Sequence, residues 1–150
     1  MRSHATELLA ATSVSALFAL VSTASMAALA RLPPPVARGL VPRSATLALA
    51  LPIADELGAP LQITAAAVAL TGLVGANIAP QFLSLLRFRD PIARGTAAAA
   101  AAHGLGTAAL SSAEPECLPF CGLSYALTGS MATLLAALPP VRWLLLAITG

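Results

Sequence analysis

Apolar and polar positions along this chain fall into long blocks, not into the alternating or one-faced stripes of a soluble fold. Residues 7–30 (ELLAATSVSALFALVSTASMAALA) carry no charge after Glu7, and their length suits one bilayer crossing, which takes about 20 residues. A leader peptide is the rival reading, with Arg2 as its charged start and small residues near 25–30 for cleavage; Glu7 and the length of the apolar run favour a span. Residues 31–43 (RLPPPVARGLVPR) then form a loop, because Pro33, Pro34 and Pro35 cannot continue a helix. Residues 44–53 (SATLALALPI) are apolar again but too short for an ordinary span, and Pro52 bends or stops them before Asp55 and Glu56. That piece predicts a short or unwound crossing, or a re-entrant hairpin.

Residues 61–86 (LQITAAAVALTGLVGANIAPQFLSLL) predict a second full span, interrupted by Asn77 and Pro80. Gly72, Gly75, Ala76 and Ala79 give it a small-residue face of the kind that lets membrane helices approach closely. Residues 118–138 predict a third span with Gly122 and Gly129 on one face, ended by Pro139 and Pro140. Arg142 and Trp143 anchor a short tail at the interface.

Between the second and third spans lies residues 90–112 (DPIARGTAAAAAAHGLGTAALSS), which opens as a helix should. Asp90 can cap it, and Pro91 stands where a missing N–H is harmless. The alanines continue it, and then His103-Gly104-Leu105-Gly106-Thr107 places a histidine and a loosened backbone inside an apolar segment. Such a break is costly unless it lines something polar.

Charge alternates by loop: Arg31, Arg38 and Arg43, then Asp55 and Glu56; Arg87, Arg89 and Arg94, then Glu114 and Glu116; then Arg142. If basic loops share one side of the membrane, every intervening segment crosses, which gives about five crossings, two of them broken or short. The tetrapeptide Ala69-Leu70-Thr71-Gly72 recurs as Ala126-Leu127-Thr128-Gly129, each copy after an acidic tip and inside a full span. Two irregular crossings at matching places in two units point to the binding site of a transporter. The expected fold class is therefore an all-α integral membrane protein with a transporter-like architecture, as a single transmembrane domain over residues 1–150.

Composition agrees. The chain is 58% hydrophobic and 9% charged, with a mean hydropathy of +0.86, whereas soluble domains carry roughly a quarter charged residues. Eight scattered arginines and no lysine do not make a nucleic-acid surface. Cys117 and Cys121 lack further metal-binding neighbours, so buried structural thiols are expected and a metal site is not. No G-x-S-x-G, metal cluster or phosphate loop is present, which argues against an enzyme and calls for no cofactor.

The motifs R-D-P-I-A-R-G at 89–95, A-H-G-L-G-T-A at 102–108 and E-P-E-x-L-P-F-C at 114–121 resemble the LrgB/CidB membrane-protein family, its plant-type plastidal branch above all. Pro42-Arg43-Ser44-Ala45-Thr46 matches a family segment P-[KR]-S-x-T, and Thr71-Gly72 with Gly75-Ala76-Asn77 fits its next span. Where bacterial members have a proline soon after that segment, this chain has Ala48, and its proline comes at Pro52. The resemblance implies transport of small carboxylates, glycolate and glycerate, across the plastid inner envelope in photorespiration, or an antiholin-like role in bacteria. It also implies further spans ahead of residue 1, so an amino-terminally incomplete domain is expected.

Candidate substrate contacts follow. Arg43, opening one irregular segment with Ser44 and Thr46, can fork onto a carboxylate, and equally suits a loop arginine at the headgroups. His103 suits substrate contact or a proton relay, against a histidine satisfied by packing. Gly104, Gly106 and Thr107 would free N–H groups at a second half-helix N-terminus for an anion, against a kink made only for packing. Asn77 suits substrate, an ion or an interhelical hydrogen bond. Asp90 and Arg94, four apart, are expected to pair on the first helical turn. The expected partners are small carboxylates, protons and the lipid bilayer. A non-transporting, antiholin-like component would instead oligomerise through the Gly72/Gly75 and Gly122/Gly129 faces.

Overall fold

The computed structural model describes residues 5–150, so Arg2 of the leader alternative lies outside the described residues. All regular structure there is helical: α1 (Ala5–Leu29), α2 (Pro34–Leu40), α3 (Leu47–Glu56), α4 (Leu61–Leu85), α5 (Pro91–Ala113), α6 (Leu118–Ala137) and α7 (Pro139–Thr149), with a 3-10 turn at Pro115–Cys117. Three stretches are long and apolar enough to cross a bilayer: Thr6–Leu29, Leu61–Leu85 and Pro115–Ala137. Phe18, Leu70, Phe82 and Leu134 stay exposed on their outer faces. Water would not tolerate that much apolar surface, and lipid welcomes it. The chain is an all-α integral membrane protein, with broken or short elements between its full spans as expected.

The course of α5 departs from expectation. Asp90 caps it by accepting from the Ala93 N–H at 3.0 Å, with Pro91 in the first turn. At Ala102 (φ −135°, ψ 21°) and His103 (φ 41°, ψ −136°) the backbone leaves helical geometry and the chain reverses. A Cβ on Gly106 would lie 2.6 Å from the carbonyl oxygen of Ala98, which two turns of straight helix would hold far away. Arg94 and Glu114 are 20 residues apart, which is about 30 Å along a straight helix. Yet Arg94 Nε donates to Glu114 Oε2 at 2.6 Å. Residues 91–101 and 104–113 are thus two arms of a re-entrant hairpin. Its base lies where α4 ends, and its tip reaches Gly72, beside the midpoint of α4.

The other irregular segment also doubles back, from the opposite membrane end. Helix α2 enters beside the start of α4, where the Thr64 hydroxyl donates to the Gly39 carbonyl at 2.9 Å. The chain turns through residues 41–46, and α3 returns. Leu49, early in α3, packs against Gly129 of α6, while Glu56 at its end pairs with Arg142 at 3.0 Å. Helix α7 lies across this base, since Arg38 of α2 donates to the Gly150 carbonyl at 2.7 Å.

The expected five crossings therefore resolve into three full spans, α1, α4 and α6, and two re-entrant hairpins. Loop charge misled because each hairpin brings its acidic end back to the basic end that precedes it. Arg94 holds Glu114, so the two loops share one side. The recurring tetrapeptide keeps its meaning and gains a direction. A hairpin from one end followed by α4, and a hairpin from the other end followed by α6, form an inverted repeat. Ala69 and Ala126 each stand eight residues on from the first residue of their helix.

Candidate functional site

The two hairpin tips meet at half depth, and Arg43 stands between them. It follows α2 in the turn of the first hairpin, next to the buried Pro42 and Ser44. Its Nε donates to Thr23 Oγ1 of α1 at 3.2 Å, which aims the guanidinium inward. Among the described residues neither Nη group has a protein partner. The side chain lines a cavity of about 330 Å³ with Ser15 and Ser22 of α1, Ser44, and Ala97, Ala100 and Ala101 of the second hairpin. On its other side it lines a space of about 350 Å³ with Thr71, Val74 and Gly75 of α4 and again Ala101. One free guanidinium fork, ringed by hydroxyls and methyl groups, can take a small carboxylate bidentately with a neighbouring hydroxyl.

The other sequence-derived residues divide. Ser44 faces the same cavity as Arg43. Thr46 precedes α3 and caps with its backbone carbonyl, which accepts from the Leu49 and Ala50 N–H groups; its side chain makes no capping bond. Asn77 is exposed and donates to the Leu73 carbonyl of its own helix at 2.7 Å, away from the hairpin tips.

His103 sits at the second tip, but its ring is turned toward α4. Nε2 donates to the Val68 carbonyl, which can only accept, at 3.0 Å. Gly72 makes room for it: a Cβ there would lie 2.5 Å from His103 Cε1 and 2.7 Å from Nε2. Gly75 gives the same clearance to Ala102. His103 thereby pins the strained tip, with its positive φ, to the middle of a full span. Gly104 packs against the Tyr125 ring, Gly106 lets the two arms touch, and the Thr107 hydroxyl donates to the His103 carbonyl at 3.0 Å. This group builds the tip whose alanine face lines the Arg43 cavity.

The expected Asp90–Arg94 pair is replaced by a stronger arrangement. Asp90 serves as cap, and Arg94, buried at 6% exposure, holds both carboxylate oxygens of Glu114. Its remaining N–H groups donate to the carbonyls of Phe88 and Pro80 and to the Ser84 hydroxyl. Gly95 admits the start of α6 and the 3-10 turn before it: the Cys121 nitrogen and the Cys117 carbonyl would stand 3.0 and 3.1 Å from a Cβ there. Asp90, Arg94 and Gly95 of the first motif and Glu114, Cys117 and Cys121 of the second thus close the hairpin base. Cys117 and Cys121 are buried free thiols in that packing.

Sequence reasoning missed Ser15, Ser22, Thr23 and Thr71. The signal was available in part: Ser15 and Ser22 lie seven apart on one face of an apolar helix, and Thr71 belongs to the repeated tetrapeptide.

The chain is 50% identical over 151 residues to plastidal glycolate/glycerate translocator 1, chloroplastic, of Arabidopsis thaliana. That alignment takes in 100% of this chain and 30% of the Arabidopsis protein. It is 34% identical over 107 residues to the uncharacterized protein YwbG of Bacillus subtilis (strain 168), covering 71% of this chain and 48% of the relative. The chain thus spans less than half the length of either relative. No solved structure matches it. The LrgB-like family model matches residues 1–140, a stretch that holds both hairpins and all three spans, and the chain belongs to that family.

Proposed function

We propose that this chain forms the substrate-binding core of a secondary transporter for small hydroxycarboxylates, glycolate and glycerate, in the plastid inner envelope. The observation that carries this is the meeting of two oppositely directed hairpin tips around Arg43, whose Nη groups are open to a ligand. The name of the Arabidopsis relative, a glycolate/glycerate translocator of the chloroplast, supports the substrate class. The carboxylate takes the Arg43 fork, and the adjacent hydroxyl group meets Ser44, Ser22 or Thr71. A pair of charge-assisted hydrogen bonds contributes about 3–6 kcal/mol, at 1.5–3 kcal/mol each.

The charge balance favours exchange over one-way flux. An empty site leaves a cation at half depth in the membrane, and a bound monocarboxylate cancels it. The loaded form then reorients more readily than the empty one. His103 acts as a positioning residue that holds the second tip against α4.

The test is counterflow of labelled glycerate into proteoliposomes carrying the full-length protein. Arg43→Ala is expected to lower exchange at least a hundredfold, and Arg43→Lys to lower it less. Full exchange by Arg43→Ala would overturn the site. Oligomers without solute-specific flux in the wild type would overturn the transporter assignment in favour of the antiholin-like component.

A further inference from the structure

A second cavity, about 350 Å³, lies at the membrane end between the close of α4 and the base of the α5 hairpin, lined by Ser84, Arg87, Phe88, Arg89, Arg94 and Glu114. It is remote from the hairpin tips and belongs to no step of the exchange described above. The charges of its lining do not cancel, with Glu116 acting on Arg94 from outside the lining. Arg94 and Glu114 neutralise each other. Asp90, next in the chain, is engaged by the Ala93 N–H and lines a different cavity with Glu7. Arg87 and Arg89 have no ion pair or side-chain hydrogen bond among the described residues, which leaves two free cations at one small cavity.

The backbone at Arg87 is the second observation. Helix α4 ends with the Arg87 N–H on the Ser84 carbonyl and the Phe88 N–H on the Leu83 carbonyl, each at 3.0 Å. This helix stop wants a left-handed residue at its penultimate place, and glycine is the usual occupant. Here an arginine adopts φ 60°. The guanidinium is thereby held at the helix close, beside the cavity it lines. The level is the third observation. The cavity opens just beyond the last apolar turn of a full span; Phe88, 50% exposed, lines it, and Leu85 and Leu86, 76% and 50% exposed, lie just before it in the chain. That is headgroup depth, where the anion at highest local concentration is covalently attached to an acyl chain.

We propose that this cavity binds the phosphodiester of an anionic membrane phospholipid, with Arg87 and Arg89 on the phosphate oxygens and the acyl chains against the apolar rim. The bound lipid would tie the end of α4 to the base of the second hairpin. The proposal stands whether or not the chain carries glycerate.

The experiment is native mass spectrometry of the detergent-purified chain titrated with phosphatidylglycerol, phosphatidylcholine or inorganic phosphate. One phosphatidylglycerol is expected per chain, at least tenfold tighter than phosphatidylcholine, with inorganic phosphate weaker still. Arg87→Gly is the informative variant, because glycine suits the backbone there and the fold survives. It should lower phosphatidylglycerol affinity at least fivefold, and Arg87→Gly with Arg89→Gln should erase the preference. Arg31→Gly, the same exchange at the left-handed close of α1 at the opposite membrane end, should leave affinity unchanged. Unaltered affinity in the double variant, an equal loss in Arg31→Gly, or inorganic phosphate displacing the lipid at similar concentration would each overturn the proposal.

Discussion

Breaking the Arg94–Glu114 clamp tests both the energetics of the second hairpin and its topology. The side chains are 7% and 25% exposed, so the pair is mostly desolvated. Removing one member of a buried pair destabilises by roughly 3–5 kcal/mol, and the quarter exposure of Glu114 places this one near the lower limit. Arg94→Met also strands the bonds to the Phe88 and Pro80 carbonyls and the Ser84 hydroxyl, so it should cost about 3–4 kcal/mol. Glu114→Gln leaves those bonds in place and should cost about 2 kcal/mol. The double variant should then show a coupling of about 1–2 kcal/mol, read by reversible unfolding in mixed detergent micelles. The same coupling depends on pH. Arg94 donates to the Glu114 carboxylate and holds its pKa below the ordinary 4.5, against an opposing push from burial. Its contribution is complete above that ordinary value and is lost as pH falls through the lower native one. Purely additive losses at neutral pH would refute the contact. A segment that crossed the membrane would give that result, its ends lying about 30 Å apart.

Three further outcomes follow from the same geometry. Cysteines at Arg89 and Glu116, in a background where Cys117 and Cys121 are alanine, should both react with an impermeant maleimide from one side of oriented vesicles; labelling from opposite sides would reinstate a crossing. Gly72→Ala drives a methyl to within 2.5 Å of the His103 ring and 2.7 Å of Leu105 Cδ1, so unfolding measurements should show a loss of about 1–3 kcal/mol, and wild-type stability would contradict the ring placement. Thr128 is 3% exposed and its hydroxyl has no partner among the described residues, so Thr128→Val should be neutral or stabilising by up to about 1 kcal/mol in the same assay, and a clear loss would mean the hydroxyl is engaged.

The full spans were legible because lipid demands long uncharged blocks, and residues 7–30, 61–86 and 118–138 supply them with little ambiguity. The two irregular segments were legible as breaks from the short run at 44–53 with Pro52 and from the His103–Gly106 region, but residues 34–40, expected as loop, form α2, and α3 runs on through Pro52 to Glu56. Their direction was not legible. A helix that passes through and one that turns back have the same local composition, and the deciding contact joins residues 20 apart. Loop charge points the wrong way at the second segment, because Arg94 and Glu114, on successive loops, form an ion pair at one membrane end. Arg43 and Ser44 were found through a carboxylate's need for a guanidinium. Their hydroxyl neighbours Ser15, Ser22 and Thr71 were hidden, since single hydroxyls in an apolar helix usually bond their own backbone, as Ser13 and Thr133 do here.

The inverted repeat packs crosswise. Gly72, in the span that follows the first hairpin, receives the tip of the second; Gly129, in the span that follows the second hairpin, receives Leu49 of the first. Each tetrapeptide glycine therefore couples its own unit to the hairpin of the other, so neither hairpin shifts without disturbing both spans. The chemistry is not duplicated in the same way. Arg43 stands 18 residues before the first residue of α4, and the matching place before α6 is Ala100. Both residues line the same cavity. One half of the repeat brings a cation to the centre and the other brings a methyl group, which leaves a single positive charge for the proposed ligand to cancel. A site with an arginine from each half would hold a dicarboxylate or stay charged under a monocarboxylate. With one arginine, the proposed monocarboxylate cancels that charge, and the methyl groups of Ala97, Ala100 and Ala101 face it across the cavity.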